Sequence, residues 1–142
     1  MTDRTQTAES RRKYRVLGLL ATAELLAMTL WFSVSAVGPE LASVWGLSAA
    51  ETAWLTNAVQ LGFVAGALLS ALFAVSDVVK PRYLFSASAV VGAGATAVIA
   101  TSVDSFLPAV LLRFLTGMAL AGVYPPGMKI MAGWFRGQRG FA

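Results

Sequence analysis

Cysteine and histidine are both absent from this 142-residue chain. Without cysteine there is no disulfide, and without either residue a metal site would need carboxylates or backbone oxygens alone. The carboxylates are Asp3, Glu9, Glu24, Glu40, Glu51, Asp77 and Asp104, scattered over the tail, the loops and one apolar segment. A Ser-His-Asp set is impossible, and no glycine-rich loop is followed by a phosphate-binding lysine. The chain therefore reads as a non-enzyme with no cofactor.

Charge is scarce as well. Charged residues make up 13% of the chain, against about a quarter in a soluble domain. Hydrophobic residues make up 57% and mean hydropathy is +0.69. Such a chain cannot cover a water-facing surface, which places it in the membrane class. The formal charge is +4 and the isoelectric point about 10.0. The basic residues cluster beside apolar runs and form no basic polar face. The reading is anionic lipid headgroups as partner, with no nucleic acid. RRKYR before an apolar stretch resembles a signal peptide, but the stretch is too long and lacks a cleavage site.

Four apolar runs are legible. Residues 1–13 read as a disordered, basic cytoplasmic tail, and 14–142 as the transmembrane region. The first helix is expected over about 14–37, ended by Gly38-Pro39-Glu40, with Trp45 at the membrane interface. Ser48 and Glu51 have capping-box spacing, opening a second helix over about 51–75. Gly62 and Gly66 on it form a GxxxG pair that lets a neighbour approach. A third helix, 83–102, is uncharged and rich in small residues. The fourth, 105–135, should kink at Pro125 and Pro126, each of which removes a backbone donor. The fold class is thus all-α, a polytopic membrane protein with four spans.

Lysine and arginine set the orientation. Arg4, Arg11, Arg12, Lys13, Arg15, Lys80, Arg82, Arg136 and Arg139 all fall at one end of the four runs. The loops at the other end, 38–50 and 103–105, have none. The chain reads as an integral inner-membrane protein with both termini cytoplasmic.

Polar groups inside the runs are the candidate site. At about 1.5 Å per residue, Glu24, Gln60 and Arg113 lie about 15, 16 and 18 Å from the cytoplasmic side, near the midplane of a core about 30 Å thick. Secondary transporters hold substrate and ions at that level. A charge there persists only facing protein or a wet cavity. Glu24 and Arg113 read equally well as a buried ion pair tying two helices together or as part of a transport path with Glu24 carrying a proton. Asn57 and Gln60 are either interhelical glue or ligands. Trp31, on the Glu24 stripe, and Tyr124, on the Arg113 stripe, are candidate cavity lining or plain packing. Lys129 snorkels to the inner headgroups.

Arg113, Gly117 and Ala121 in RFLTGMALA resemble the helix-four motif of the major facilitator superfamily, an arginine followed by small residues. Asp77 and Arg82 stand where that family's loop signature has an aspartate and a downstream basic residue. Phe73 and Lys80 replace the signature's glycines. WFRGQRG is similar to the family's loop before helix five. The resemblance covers residues 14–142. It implies a twelve-helix, two-bundle transporter with alternating access, and this chain would be its N-terminal portion, an incomplete N-terminal bundle. It further implies proton-linked transport of a small solute, with Asp77 and Arg82 as the cytoplasmic gate and Gly117 and Ala121 packing helices. The midplane arginine gives a mild lean toward an anionic substrate. Partners are then the bilayer, the solute, protons, and the remaining helices or another copy. Two other readings compete. One is a self-sufficient four-helix dimeric transporter resembling the small multidrug resistance family, opposed by the one-sided charge pattern. The other is a truncated remnant or a membrane subunit that does not transport.

Overall fold

In the computed structural model the described backbone runs over residues 2–134, and the described side chains are those of residues 11–75 and 78–133. The WFRGQRG segment beyond Trp134, with Arg136 and Arg139, lies outside the described residues. The described chain is helical: α1 (Thr2–Trp45), α2 (Ala49–Leu72), α3 (Val75–Val78), α4 (Pro81–Ser102), α5 (Phe106–Leu120) and α6 (Tyr124–Trp134). Four stretches are long and apolar enough to cross a bilayer: Arg11–Trp45, Ala49–Leu72, Pro81–Ser102 and Phe106–Gly133.

The first helix passes through the position expected to end it. Pro39 lies inside α1, which stops only at Trp45. Gly38 has no Cβ to meet the proline ring, which relieves much of the clash that a pre-proline residue suffers in a helix. The stop falls at Gly46, whose φ of 65° supplies the left-handed turn. Behind it, the Leu47 N–H donates to the Ala42 carbonyl at 2.9 Å.

The expected capping box opens α2. The Ser48 N–H donates to Glu51 Oε2 at 2.8 Å, and the Glu51 N–H donates to Ser48 Oγ at 3.3 Å. After Leu72 the chain turns through Ala74, at φ 46° without being glycine. The single turn α3 follows, and Pro81 takes the first position of α4.

The fourth span is broken rather than merely bent. Pro125 and Pro126 cannot donate to the carbonyls of Ala121 and Gly122, four residues back. The backbone tightens ahead of them, with the Gly122 N–H on the Ala119 carbonyl at 2.9 Å and the Val123 N–H on the Leu120 carbonyl at 3.0 Å. The α-helix resumes as α6.

The tightest packing is between α2 and α5, where three glycines interlock. A Cβ added at Gly117 would strike the Val59 carbonyl oxygen and lie 2.8 Å from the Phe63 nitrogen. One at Gly62 would meet the Phe114 carbonyl, and one at Gly66 would lie 2.8 Å from the Met118 carbonyl oxygen and 3.0 Å from the Ala121 Cβ. Two apolar clusters fill the bundle. Val34, Leu55 and Ala109 occupy the end near residues 46–48, and Ala27, Val59, Leu120 and Val123 occupy the other half. Leu19, Leu26, Leu72, Val90 and Leu107 are exposed. Outward apolar side chains along helices of this length suit contact with lipid.

Candidate functional site

Arg113 is the largest fully buried side chain, 0% exposed. Its partners are oxygens on two other helices. Nε donates to the Leu55 carbonyl at 3.2 Å and Nη2 to the Trp31 carbonyl at 2.6 Å. Nη1 donates to the Leu30 carbonyl at 2.7 Å and to Ser33 Oγ at 3.2 Å. A carbonyl oxygen has two lone pairs, so it can keep its helical N–H and still take a guanidinium. The planar fork thus ties α1, α2 and α5 together, with no acidic counter-ion among the described residues.

Of the two readings of Glu24 and Arg113, the buried ion pair does not form in this structure, where the Arg113 partners are carbonyls and Ser33 Oγ. The two groups are at different depths: Arg113 grips Leu30 and Trp31, six and seven residues beyond Glu24, or about 9–10 Å along α1. Counting from the sequence-based start of the first helix put them near one level, and α1 begins earlier than that start. Glu24 instead lies against α6. A Cβ added at Gly127 would strike its carboxylate and come within 3.4 Å of the Phe85 ring. Glu24 is half-buried and close enough to Tyr124 to act on its hydroxyl electrostatically.

Trp31 and Tyr124 come together through Phe63. Trp31 and Phe63 pack edge to face with centroids 5.3 Å apart, and Phe63 and Tyr124 do so at 6.2 Å. The Tyr124 hydroxyl is buried with no hydrogen-bond partner. Phe63 escaped the sequence reading, although it lies three residues beyond Gln60 and seven beyond Thr56, on one helical stripe. One turn beyond Trp31, Ser35 Oγ and Thr56 Oγ1 share a hydrogen bond at 3.2 Å. They border a cleft of about 600 Å³ between α1 and α2, lined also by Val34, Pro39, Ala42 and Leu47.

Asn57 and Gln60 are exposed, on the side of α2 away from its buried Leu55, Ala58, Val59 and Gly62. Ala121 is buried at the end of α5, next to the position Gly66 would fill with a side chain. Arg82 is turned to its neighbour: Nη2 donates to the Tyr83 hydroxyl at 3.0 Å and the guanidinium lies 4.7 Å from that ring's centroid. Asp77 lies on α3, and its side chain is outside the described residues.

Four apolar spans, packed through glycines around an enclosed arginine, define an integral membrane protein of the polytopic helical class. The chain belongs to the Major Facilitator Superfamily, whose family model matches residues 20–142; it is a transporter of the major facilitator type. Searches among curated proteins and among solved structures gave no match.

Proposed function

We propose that this chain forms part of a proton-linked secondary transporter that moves a small solute across the cytoplasmic membrane by alternating access, with both termini cytoplasmic. The observation that carries the reading is Glu24. Of the carboxylates, it alone lies deep within an apolar run, and among the described residues no cation compensates it. An ionisable residue in that setting is by default part of an ion or proton path. Arg113 supports the path indirectly by fixing α1, which carries Glu24 and Trp31. Four of its five N–H donors are engaged and its surface is enclosed, so the lean toward an anionic substrate loses its support. Asn57, Gln60, Trp31 and Tyr124 border the solute path. Asp77 and Arg82 form the cytoplasmic gate in another state of the cycle, once Arg82 leaves Tyr83.

The test is proton movement. The chain is reconstituted in vesicles enclosing a pH-sensitive dye, and candidate solutes are added under an imposed pH gradient. Solute-dependent proton flux is expected, and Glu24→Gln should lower it at least about tenfold while leaving insertion intact. Unchanged flux in that variant would remove Glu24 from the path and the reading with it.

A further inference from the structure

One turn of α6 meets Glu24 with two groups of opposite chemistry. At Gly127 the carboxylate lies against the bare Cα, beside the Phe85 ring. Three residues earlier, on the same side of the helix, the Tyr124 hydroxyl is buried without a partner and lies within electrostatic reach of the carboxylate. We propose that these are two seats for one side chain: the Tyr124 hydroxyl holds Glu24 when it is ionised, and Gly127 receives it when it is neutral. Both are then positioning residues for the proton step, so the proposal rests on the transport reading above.

The seat at Gly127 offers nothing to a charge. The Gly127 N–H already donates to the Val123 carbonyl at 3.0 Å, and Phe85 contributes an apolar ring. The neutral carboxyl is the form that such surroundings tolerate. The seat also exists only because the residue is glycine, since any Cβ there would strike the carboxylate.

Tyr124 offers the opposite. Its O–H is a donor, and a hydrogen bond to an ionised acceptor is about twice as strong as one between neutral groups. The ring packs edge to face on Phe63, a contact that phenylalanine would make equally well. The hydroxyl adds nothing to that contact, and leaving it buried and unpartnered costs free energy. A second position of Glu24 supplies the missing partner. Tyr124 and Gly127 are about 4.5 Å apart along α6, and a change of rotamer in the long Glu24 side chain carries the carboxyl from one to the other.

Among the described residues, Tyr124 is the titratable group set against Glu24. α4 brings Phe85 to the site and α2 brings Phe63. The charges of the packed elements lie elsewhere. On α6, Lys129 is exposed, two residues past Gly127 and so on the far side of that helix. On α4, Arg82 is turned to Tyr83. On α5, Arg113 is held at Leu30 and Trp31, about 9–10 Å further along α1. On α2, Glu51 is in the capping box at the helix start. On α1 itself the nearest charge is Arg15, exposed nine residues before Glu24.

The test reads the Glu24 proton directly. The purified chain in detergent is titrated and followed by infrared difference spectroscopy, in which a protonated carboxyl absorbs apart from a carboxylate. The share of that band lost in Glu24→Gln belongs to Glu24. At the parent's midpoint, Tyr124→Phe is expected to raise the protonated-to-ionised ratio about tenfold, because the ionised form loses its donor. Gly127→Ala should lower the ratio by a few fold, because the neutral form loses its seat. The opposite senses are the signature, since a merely loosened bundle would admit water to Glu24 in both variants and move them the same way. Gly133→Ala, where nothing lies within 4 Å of the added Cβ, should match the parent. Tyr124→Phe should unfold no earlier than the parent, since it deletes an unpartnered hydroxyl. Should Gly127→Ala fail to fold, Tyr124→Phe decides alone. An unchanged ratio in either folded variant, a shift of both in one direction, or no Glu24 band at any pH would overturn the proposal. The measurement involves no gradient. Its failure would leave proton-linked transport standing with Glu24 held in another way, whereas a two-seat titration without solute-dependent proton flux would overturn the transport reading alone.

Discussion

Gly117→Ala is expected to lower the stability of the bundle by about 3 kcal/mol, the upper end of what overpacking costs. The reason is the identity of the obstructing atoms. The new methyl would fall on the Val59 carbonyl and close to the Phe63 backbone nitrogen, and backbone in a continuous helix has no rotamer by which to step aside. α2 and α5 would have to separate. That would also stretch the bond from Arg113 Nε to the Leu55 carbonyl and shift Phe63 under Trp31. Gly94→Ala is the matched control, since nothing lies within 4 Å of a Cβ there. In that helix interior alanine should be neutral or stabilising by about 0.5–1 kcal/mol. Thermal unfolding of both variants in detergent, followed by far-UV circular dichroism, separates the two effects. Equal midpoints would contradict the close α2–α5 approach.

Arg113 gives the second large effect, and the order of its variants is the informative part. Arg113→Ala should cost about 3 kcal/mol, combining a cavity with lost charge-assisted bonds. Arg113→Met fills most of the volume and leaves the three carbonyls with their helical N–H donors, so it should recover about half. Arg113→Lys keeps the charge but not the fork. An ammonium cannot reach Leu30, Trp31 and Leu55 together, and a buried charge with too few partners is costly. The lysine variant should therefore be no more stable than the methionine one by the same unfolding measurement. A lysine variant close to the parent would mean that charge alone matters at this position.

Much of the architecture is legible in the sequence, and what is missing has identifiable causes. The spans follow from long apolar runs, the start of α2 from Ser48 and Glu51, and the interruption of the fourth span from paired prolines. The continuation of α1 through Pro39 was obscured because proline usually ends a helix; the information lay in Gly38 before it and Gly46 after it. Side-chain depth was the least legible property. An estimate from helix ends inherits every error in those ends, and it placed Glu24 level with Arg113. The partners of Arg113 could not be read at all, because backbone carbonyls leave no trace in composition: any residue supplies one. Gly62, Gly66 and Gly117 were visible as small residues at helical spacing, but that they face each other is a property of how α2 and α5 cross. Phe63 is illegible for the same reason, since an aromatic in an apolar helix looks like packing until its neighbours are known.

The central claim is that the α1–α2 side carrying Gln60 and Ser35 borders a solute path, whereas Arg113 sits in a sealed core. The native chain has no cysteine, so single cysteines can be placed without background. The measurement is the rate at which a membrane-impermeant, positively charged thiol reagent modifies Gln60→Cys, Val90→Cys and Thr116→Cys in membranes. Val90 is exposed on α4, eight residues beyond its single charge at Arg82, and Thr116 is fully buried beside the Arg113 turn. Modification at position 60 at least about tenfold faster than at the other two is predicted, because thiolates react where water reaches them. A cysteine at position 60 as inert as the one at position 90 would mean that Gln60 faces lipid, and the proposed path would not exist.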